Sequence, residues 1–110
     1  GLLLGSDAPQ VFNVPGFSLH RELDAIVASG LTPFEALRTG TLNPAVFFEA
    51  TEEFGAVRAG LAADLILAAR NPLEDVTALA RPEGVMVRGR WLDRAELDRG
   101  LAEIAARYTR

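Results

Sequence analysis

The segment Gly1-Leu2-Leu3-Leu4-Gly5-Ser6-Asp7-Ala8-Pro9 is the most informative about the fold class. Three consecutive leucines leave no polar face, which is typical of a short strand buried on both sides in a parallel sheet covered by helices. Turn formers end this strand, because Gly5 permits a sharp bend and Pro9 stiffens the chain beyond it. The pattern predicts an α/β fold with Asp7 just past the carboxyl end of the strand.

The position of Asp7 makes it the first candidate functional residue. α/β proteins place their functional groups beyond the carboxyl ends of parallel strands, where several loops meet. The alternative is that Asp7 closes an Asx-turn and has no further role, and position by itself favours this structural interpretation.

The next fifty residues predict helices. One is expected from about Ser18 to Ser29, with its apolar residues on one face. A second begins at Pro33, because Thr32 can cap it and Glu35 can complete a capping box. A third opens at Asn43-Pro44.

The second half predicts a small antiparallel sheet and a terminal helix. A strand is expected over Asp64–Ala69, and Val85–Val87 and Trp91–Leu92 flank a tight turn at Gly89. Asp93 then caps a final helix. Its apolar residues recur at helical spacing and are expected to pack beside the sheet: Leu97, Leu101, Ile104 and Tyr108.

The opening strand lacks a companion, since no second apolar run of that kind follows closely. We therefore expect the chain to be a segment cut from a larger fold. Such a segment carries unpaired strand edges and exposed apolar surface, and so should associate with itself or with a missing partner segment.

Composition narrows the possible functions. The chain is 49% hydrophobic and 24% charged, a balance typical of a globular domain. Its net charge of −4 argues against nucleic acid or anionic membranes as partners, and its apolar runs are too short to span a bilayer. The absence of cysteine excludes thiolate metal sites and fits a cytoplasmic location. All eleven basic residues are arginine, so no lysine can act as a Schiff base, carbamate or general base.

Several ordered segments resemble the C-terminal part of the amidohydrolase superfamily, in its imidazolonepropionase-like and prolidase-like branch. Those resembling the end of the barrel are Gly5–Pro9, Pro15-Gly16-Phe17-Ser18-Leu19-His20-Arg21-Glu22-Leu23, Gly30–Leu37 and Thr41-Leu42-Asn43-Pro44-Ala45. Those similar to the family's return into a small β-sandwich are Gly55–Leu67, Asn71–Val76 and Val85–Gly89. Each segment is a weak signal alone, but their order over nearly the whole chain is specific.

The resemblance implies two structural units. Residues 1–51 would be the last βα unit of a (β/α)8, or TIM, barrel with its trailing helices. Residues 52–110 would be the C-terminal part of a composite β-sandwich with a terminal helix. The N-terminal remainder of the enzyme would complete both, and a second copy of the chain is a further expected partner.

The resemblance also implies a reaction. The intact parent would hydrolyse a C–N bond in a small-molecule amide, cyclic amide or dipeptide, using a divalent metal such as zinc. In that family the aspartate after the eighth barrel strand binds the metal and handles the proton of the hydrolytic water. Asp7 matches this position as catalytic residue and metal ligand. Asn13, in the following loop, is a candidate substrate-binding residue at the mouth of the site.

The sequence departs from the family in its metal ligands. The family's other ligands are histidines, and often a carboxylated lysine, from earlier strands, whereas this chain has one histidine and no lysine. Because a metal site requires about three protein ligands, the 110-residue chain alone is expected to be inactive. His20 aligns with Leu23 and Val27 and is expected to be structural, as are Asp64 and Asp75. Trp91 is expected in the core.

Two other interpretations stay open. The chain could be a non-catalytic interaction module, or a degenerate relative that kept the fold and lost the metal. Upstream sequence in frame with a His-x-His after an apolar strand would favour the enzyme. A natural start codon directly before Gly1 would favour the module.

Overall fold

The computed structural model describes residues 1–109. Three helices form the first half: α1 (Phe17–Ala28), α2 (Pro33–Thr39) and α3 (Leu42–Phe47). The second half contains β1 (Leu65–Leu67), a 3-10 helix (Val76–Ala80), β2 (Gly84–Val87), β3 (Arg90–Asp93) and α4 (Arg94–Tyr108). No helix within this described part is both long and apolar enough to cross a membrane.

The buried core joins the two halves of the chain. Leu23 and Ile26 of α1 pack against Ala36 of α2 and Val76 of the 3-10 helix, and Leu4 lies against this cluster. The predicted division at residue 51 stays a prediction, but Val76 from the second unit contributes to the core of the first.

The capping box of α2 forms as the sequence predicts. The Glu35 amide donates to Thr32 Oγ1 over 3.3 Å, and Glu35 Oε2 accepts from the Thr32 amide over 2.8 Å. Hydrogen bonds from the Thr32 hydroxyl and amide hold the pKa of Glu35 below its usual value.

The predicted antiparallel sheet is confirmed. Its strand order is β1-β2-β3, with Leu65 opposite Met86 and Val85 opposite Leu92. The turn between β2 and β3 places Arg88 at φ 50° and Gly89 at φ 77°. A two-residue hairpin turn of type I′ requires a positive φ at both of these central positions.

The structure corrects the expected packing of α4. Asp93 caps it as predicted, with Oδ1 accepting from the Glu96 amide over 2.8 Å, and Leu97 is half-buried. Leu101, Ile104 and Tyr108 are instead exposed. Fifteen helical residues span about 22 Å, whereas strands of four residues span about 13 Å, so the sheet cannot cover the whole helix.

Two other sequence predictions are wrong. Leu2–Leu4 does not form a buried strand: Leu2 and Leu3 are exposed, since none of the strands among residues 1–109 lies beside them to supply a ladder. Trp91 is 43% exposed rather than in the core. Its indole lies over Gly84, which has no side chain to displace it.

Replacing Gly55 with alanine should destabilise the fold. Gly55 has φ 100°, and an added Cβ would lie 2.7 Å from the Cβ of Ala45 and 3.0 Å from the carbonyl oxygen of Thr41. Backbone strain and overlap together should cost about 2 kcal/mol or more in the free energy of unfolding. The matched control is Gly100→Ala, where nothing lies within 4 Å and the helix should gain about 0.5–1 kcal/mol. Denaturant unfolding in which both variants shift equally would contradict this packing.

Candidate functional site

The candidate site is the loop from Gly5 to Gly16, which carries Asp7. Asp7 is exposed and has φ 52°, a left-handed conformation that aspartate and asparagine tolerate better than most residues. Its Oδ2 accepts a hydrogen bond from Gln10 Nε2. None of the five ion pairs among residues 1–109 includes Asp7. The carboxylate therefore faces solvent with a neutral partner.

The hydrogen bond of the Asp7 carboxylate differs from the one that defines an Asx-turn. An Asx-turn requires the carboxylate to accept from a backbone amide two residues on, whereas the partner of the Asp7 carboxylate in the described structure is the side chain of Gln10. Asp75 shows the contrast, because its Oδ1 accepts from the Thr77 amide over 2.9 Å. The structural role expected for Asp75 is confirmed by this bond.

Asn13 is hydrogen-bonded to the backbone on both sides of Asp7. Its backbone amide donates to the carbonyl oxygen of Gln10 over 2.8 Å. Its side-chain Nδ2 donates to the carbonyl oxygen of Ser6 over 2.9 Å. The segment between Ser6 and Gln10 is thus closed by one residue, and the Asn13 side chain is half-buried in doing so.

The loop is also attached to the start of α1. Ser18 is 2% exposed, and its hydroxyl donates to the carbonyl oxygen of Val14 over 2.8 Å. The hydroxyls of Ser6 and Ser18 lie 2.8 Å apart. Because the single Ser18 proton is directed to Val14, Ser6 is the donor between the two hydroxyls. The helix start therefore fixes the residue immediately before Asp7.

The residues before the loop are held by helices rather than by a strand. The Leu4 amide donates to the carbonyl oxygen of Thr39 over 2.9 Å, and Asn43 Nδ2 donates to that of Leu2 over 2.9 Å. Leu4 is therefore attached to the C-terminal end of α2, and Leu2 to the first turn of α3, just before the loop that carries Asp7.

An apolar surface lies on the same loop. Val11 and Phe12 are 82% and 85% exposed, and Val14 and Phe17 are exposed as well. Arg21 Nη2 donates to the carbonyl oxygen of Phe12 over 2.5 Å, which holds this part of the loop against α1. The loop thus presents exposed apolar side chains as well as the exposed carboxylate of Asp7.

The other ionisable candidates do not join Asp7 in a metal site. Among residues 1–109, no three histidine, cysteine, aspartate or glutamate side chains come together in a way that could hold an ion. His20 is half-buried on α1, one turn before Leu23, as expected for a structural histidine. Asp64 is structural as expected, since its Oδ1 accepts from the Arg88 amide over 2.6 Å. A carboxylate oxygen, such as either oxygen of Asp7, is a ligand type that suits divalent ions such as magnesium, calcium and manganese.

Sequence reasoning missed the residues that support Asp7. Gln10 lies three positions after Asp7, a spacing that lets a side chain reach back across a turn, and this was the available signal. The contact between Ser6 and Ser18 had no signal, because twelve residues separate the two serines.

Comparison with known proteins identifies the family. The model of the amidohydrolase family matches residues 2–92, so the chain belongs to the amidohydrolase family. No curated protein sequence matches it significantly.

Solved structures of prolidase-like and other hydrolase proteins resemble this chain and support the same family. A Bifidobacterium longum protein provisionally assigned as a prolidase is 34% identical, with a TM-score of 0.75 over 92% of this chain and 26% of its own. Molinate hydrolase is 29% identical, with a TM-score of 0.64 over 71% of this chain and 17% of its own. A Xaa-Pro dipeptidase with methionine in its active site is 25% identical, with a TM-score of 0.64 over 68% of this chain and 18% of its own. The chain thus spans about a sixth to a quarter of the length of these proteins.

Proposed function

We propose that this chain is the C-terminal segment of a metal-dependent amidohydrolase, with Asp7 as a metal ligand and proton carrier. The observation that carries the proposal is the exposed Asp7 carboxylate, which has no ionic partner among residues 1–109 and lies in the part of the chain that matches the family. Its loop is hydrogen-bonded to α1, and the residues just before the loop are hydrogen-bonded to α2 and α3. Residues 1–51 would supply the last βα unit of the TIM barrel.

The proposed chemistry assigns two roles to Asp7. Asp7 would be one ligand of a divalent ion, which we propose to be zinc, and the ion would acidify a bound water and polarise the substrate carbonyl when present. The Asp7 carboxylate accepts the proton of the attacking water and returns it to the leaving nitrogen. The substrate class is a small amide, cyclic amide or dipeptide, and the nearby Asn13 is proposed to line the mouth of the site. The remaining ligands would come from the N-terminal remainder of the protein.

Exposed apolar side chains support the proposal that other protein covers this segment. Phe12, Phe47, Phe48 and Val57 are each at least 67% exposed. Surfaces of this kind mark contacts with other protein or ligands when they are contiguous. The N-terminal remainder of the enzyme is the proposed cover.

Metal analysis of the longer gene product tests the proposal. It should contain at least one divalent ion per chain and hydrolyse members of a panel of amides and N-acyl amino acids. Chelation should remove both the ion and the turnover, and adding the ion back should restore them. Undiminished turnover after complete removal of the metal would contradict the proposal.

A non-catalytic interaction module is the second candidate, and the exposed face of α4 favours it. Leu101 and Ile104 are 44% and 55% exposed and border a cavity of about 640 Å³ between α4 and the sheet. On either hypothesis the 110-residue chain alone should associate, because that face is left uncovered. Light scattering should show a mass above that of one chain, and a compact monomer with a cooperative melt would contradict this prediction.

A further inference from the structure

We infer that Gln10 is a positioning residue for Asp7, holding one carboxylate oxygen so that the other is presented to the reacting centre. This inference rests on the proposed function of Asp7. It adds a residue to the site that neither the family match nor the sequence pattern assigns.

The first support is that only one of the two carboxylate oxygens of Asp7 is hydrogen-bonded. Gln10 Nε2 donates to Oδ2 of Asp7, and no hydrogen bond among the described residues reaches Oδ1. A carboxylate with one oxygen held has a defined plane, and its second oxygen is available to a ligand. Outer hydrogen bonds of this kind orient the ligating groups of metal sites in general.

The second support is the attachment of Gln10 itself. Both side chains are exposed, and an isolated pair at the surface would contribute little because water competes for each group. Here the Gln10 carbonyl oxygen accepts from the Asn13 amide, and Asn13 Nδ2 donates to Ser6. The backbone on both sides of Asp7 is therefore already ordered, so the side-chain bond costs less conformational entropy than a free pair would.

The third support is the chemical nature of the donor. Asp98 is held by two arginines, Arg94 and Arg81, in ion pairs. The Gln10 amide is neutral, so it can hold one oxygen of the Asp7 carboxylate by a hydrogen bond without forming an ion pair with it.

The test measures divalent-metal affinity of the longer protein by competition with a chelator, together with kcat and KM. Gln10→Leu removes the amide while keeping a side chain of similar size. Metal affinity and kcat should each fall by about 10- to 100-fold, and KM should change little because Gln10 does not contact substrate. Glu52→Gln is the matched control, since it weakens an exposed contact to Arg58 in another part of the chain. Its metal affinity should equal that of the wild type.

A double-mutant cycle with Asp7→Asn separates positioning from a general structural effect. In the Asp7→Asn background, Gln10→Leu should change metal affinity by no more than about twofold. A full and additive loss would overturn the inference. Gln10→Met, a flexible side chain without the amide, gives the same comparison if Gln10→Leu folds poorly by circular dichroism.

The outcomes distinguish this inference from the function on which it rests. If Asp7→Asn alone keeps wild-type metal affinity, the proposed role of Asp7 is wrong and the role of Gln10 is wrong with it. If Asp7→Asn loses affinity while both Gln10 variants keep it, only the positioning role is wrong.

Discussion

Asp7→Asn in the longer protein should lower kcat by about 100- to 10,000-fold or more, since general acid–base groups contribute in that range. An amide is a weaker metal ligand than a carboxylate, and it cannot accept a proton from water. The loss should therefore fall at or above the upper part of the range, because ligand and proton carrier are removed together. Steady-state kinetics on a substrate from the amide panel measures it.

The same variant should leave the fold intact, which makes the kinetic result interpretable. Asp7 has φ 52°, and asparagine tolerates this conformation about as well as aspartate does. The free energy of unfolding should change by less than about 1 kcal/mol, as for most substitutions at exposed positions. Asp7→Ala is a poorer choice, since it would add backbone strain to the chemical change. Normal kcat in Asp7→Asn would return Asp7 to a purely structural role.

The isolated 110-residue chain should neither hold a divalent ion tightly nor hydrolyse amides. A catalytic metal site requires about three protein ligands, and within residues 1–109 the carboxylate of Asp7 is not joined by two others. Metal content after desalting, and turnover on the amide panel, should both be at background. Co-expression with the N-terminal remainder should raise both. Stoichiometric metal retained by the isolated chain would contradict the proposed composite site.

Local chemistry made much of the fold predictable from sequence. Thr32, Pro33 and Glu35 specify the start of α2 by themselves, because every partner in a capping box lies within four residues. Gly89 likewise specifies its hairpin, since few residues accept the required positive φ. The pairing of β1 with β2 followed from the apolar character of both strands.

Elements that depend on distant partners were predicted less well. The leucines at positions 2–4 have the composition of a buried strand, but a strand forms only where another supplies its hydrogen bonds. The apolar positions of α4 indicate a covered face, and the described sheet is too short to cover all of it. In both cases the apolar residues predict burial, and residues 1–109 bury only some of them.

The candidate site was also predictable from sequence only in part. Asp7 could be selected from its place after an apolar run and from the family resemblance. Its support by Gln10, and the closure of the loop by Asn13, depend on how the backbone turns between them. Sequence spacing does not specify that turn, so the supporting residues emerged only from the structure.

The proposed role of Asp7 as a metal ligand is tested most directly by a crystal structure of the longer protein with its divalent metal bound, located by anomalous scattering. We expect Asp7 Oδ1 within about 2.0–2.2 Å of the ion, the range of carboxylate–zinc bonds, while Oδ2 keeps its hydrogen bond to Gln10. A metal with a complete set of ligands elsewhere, and an Asp7 carboxylate outside bonding distance, would contradict the assignment of this residue to the catalytic site.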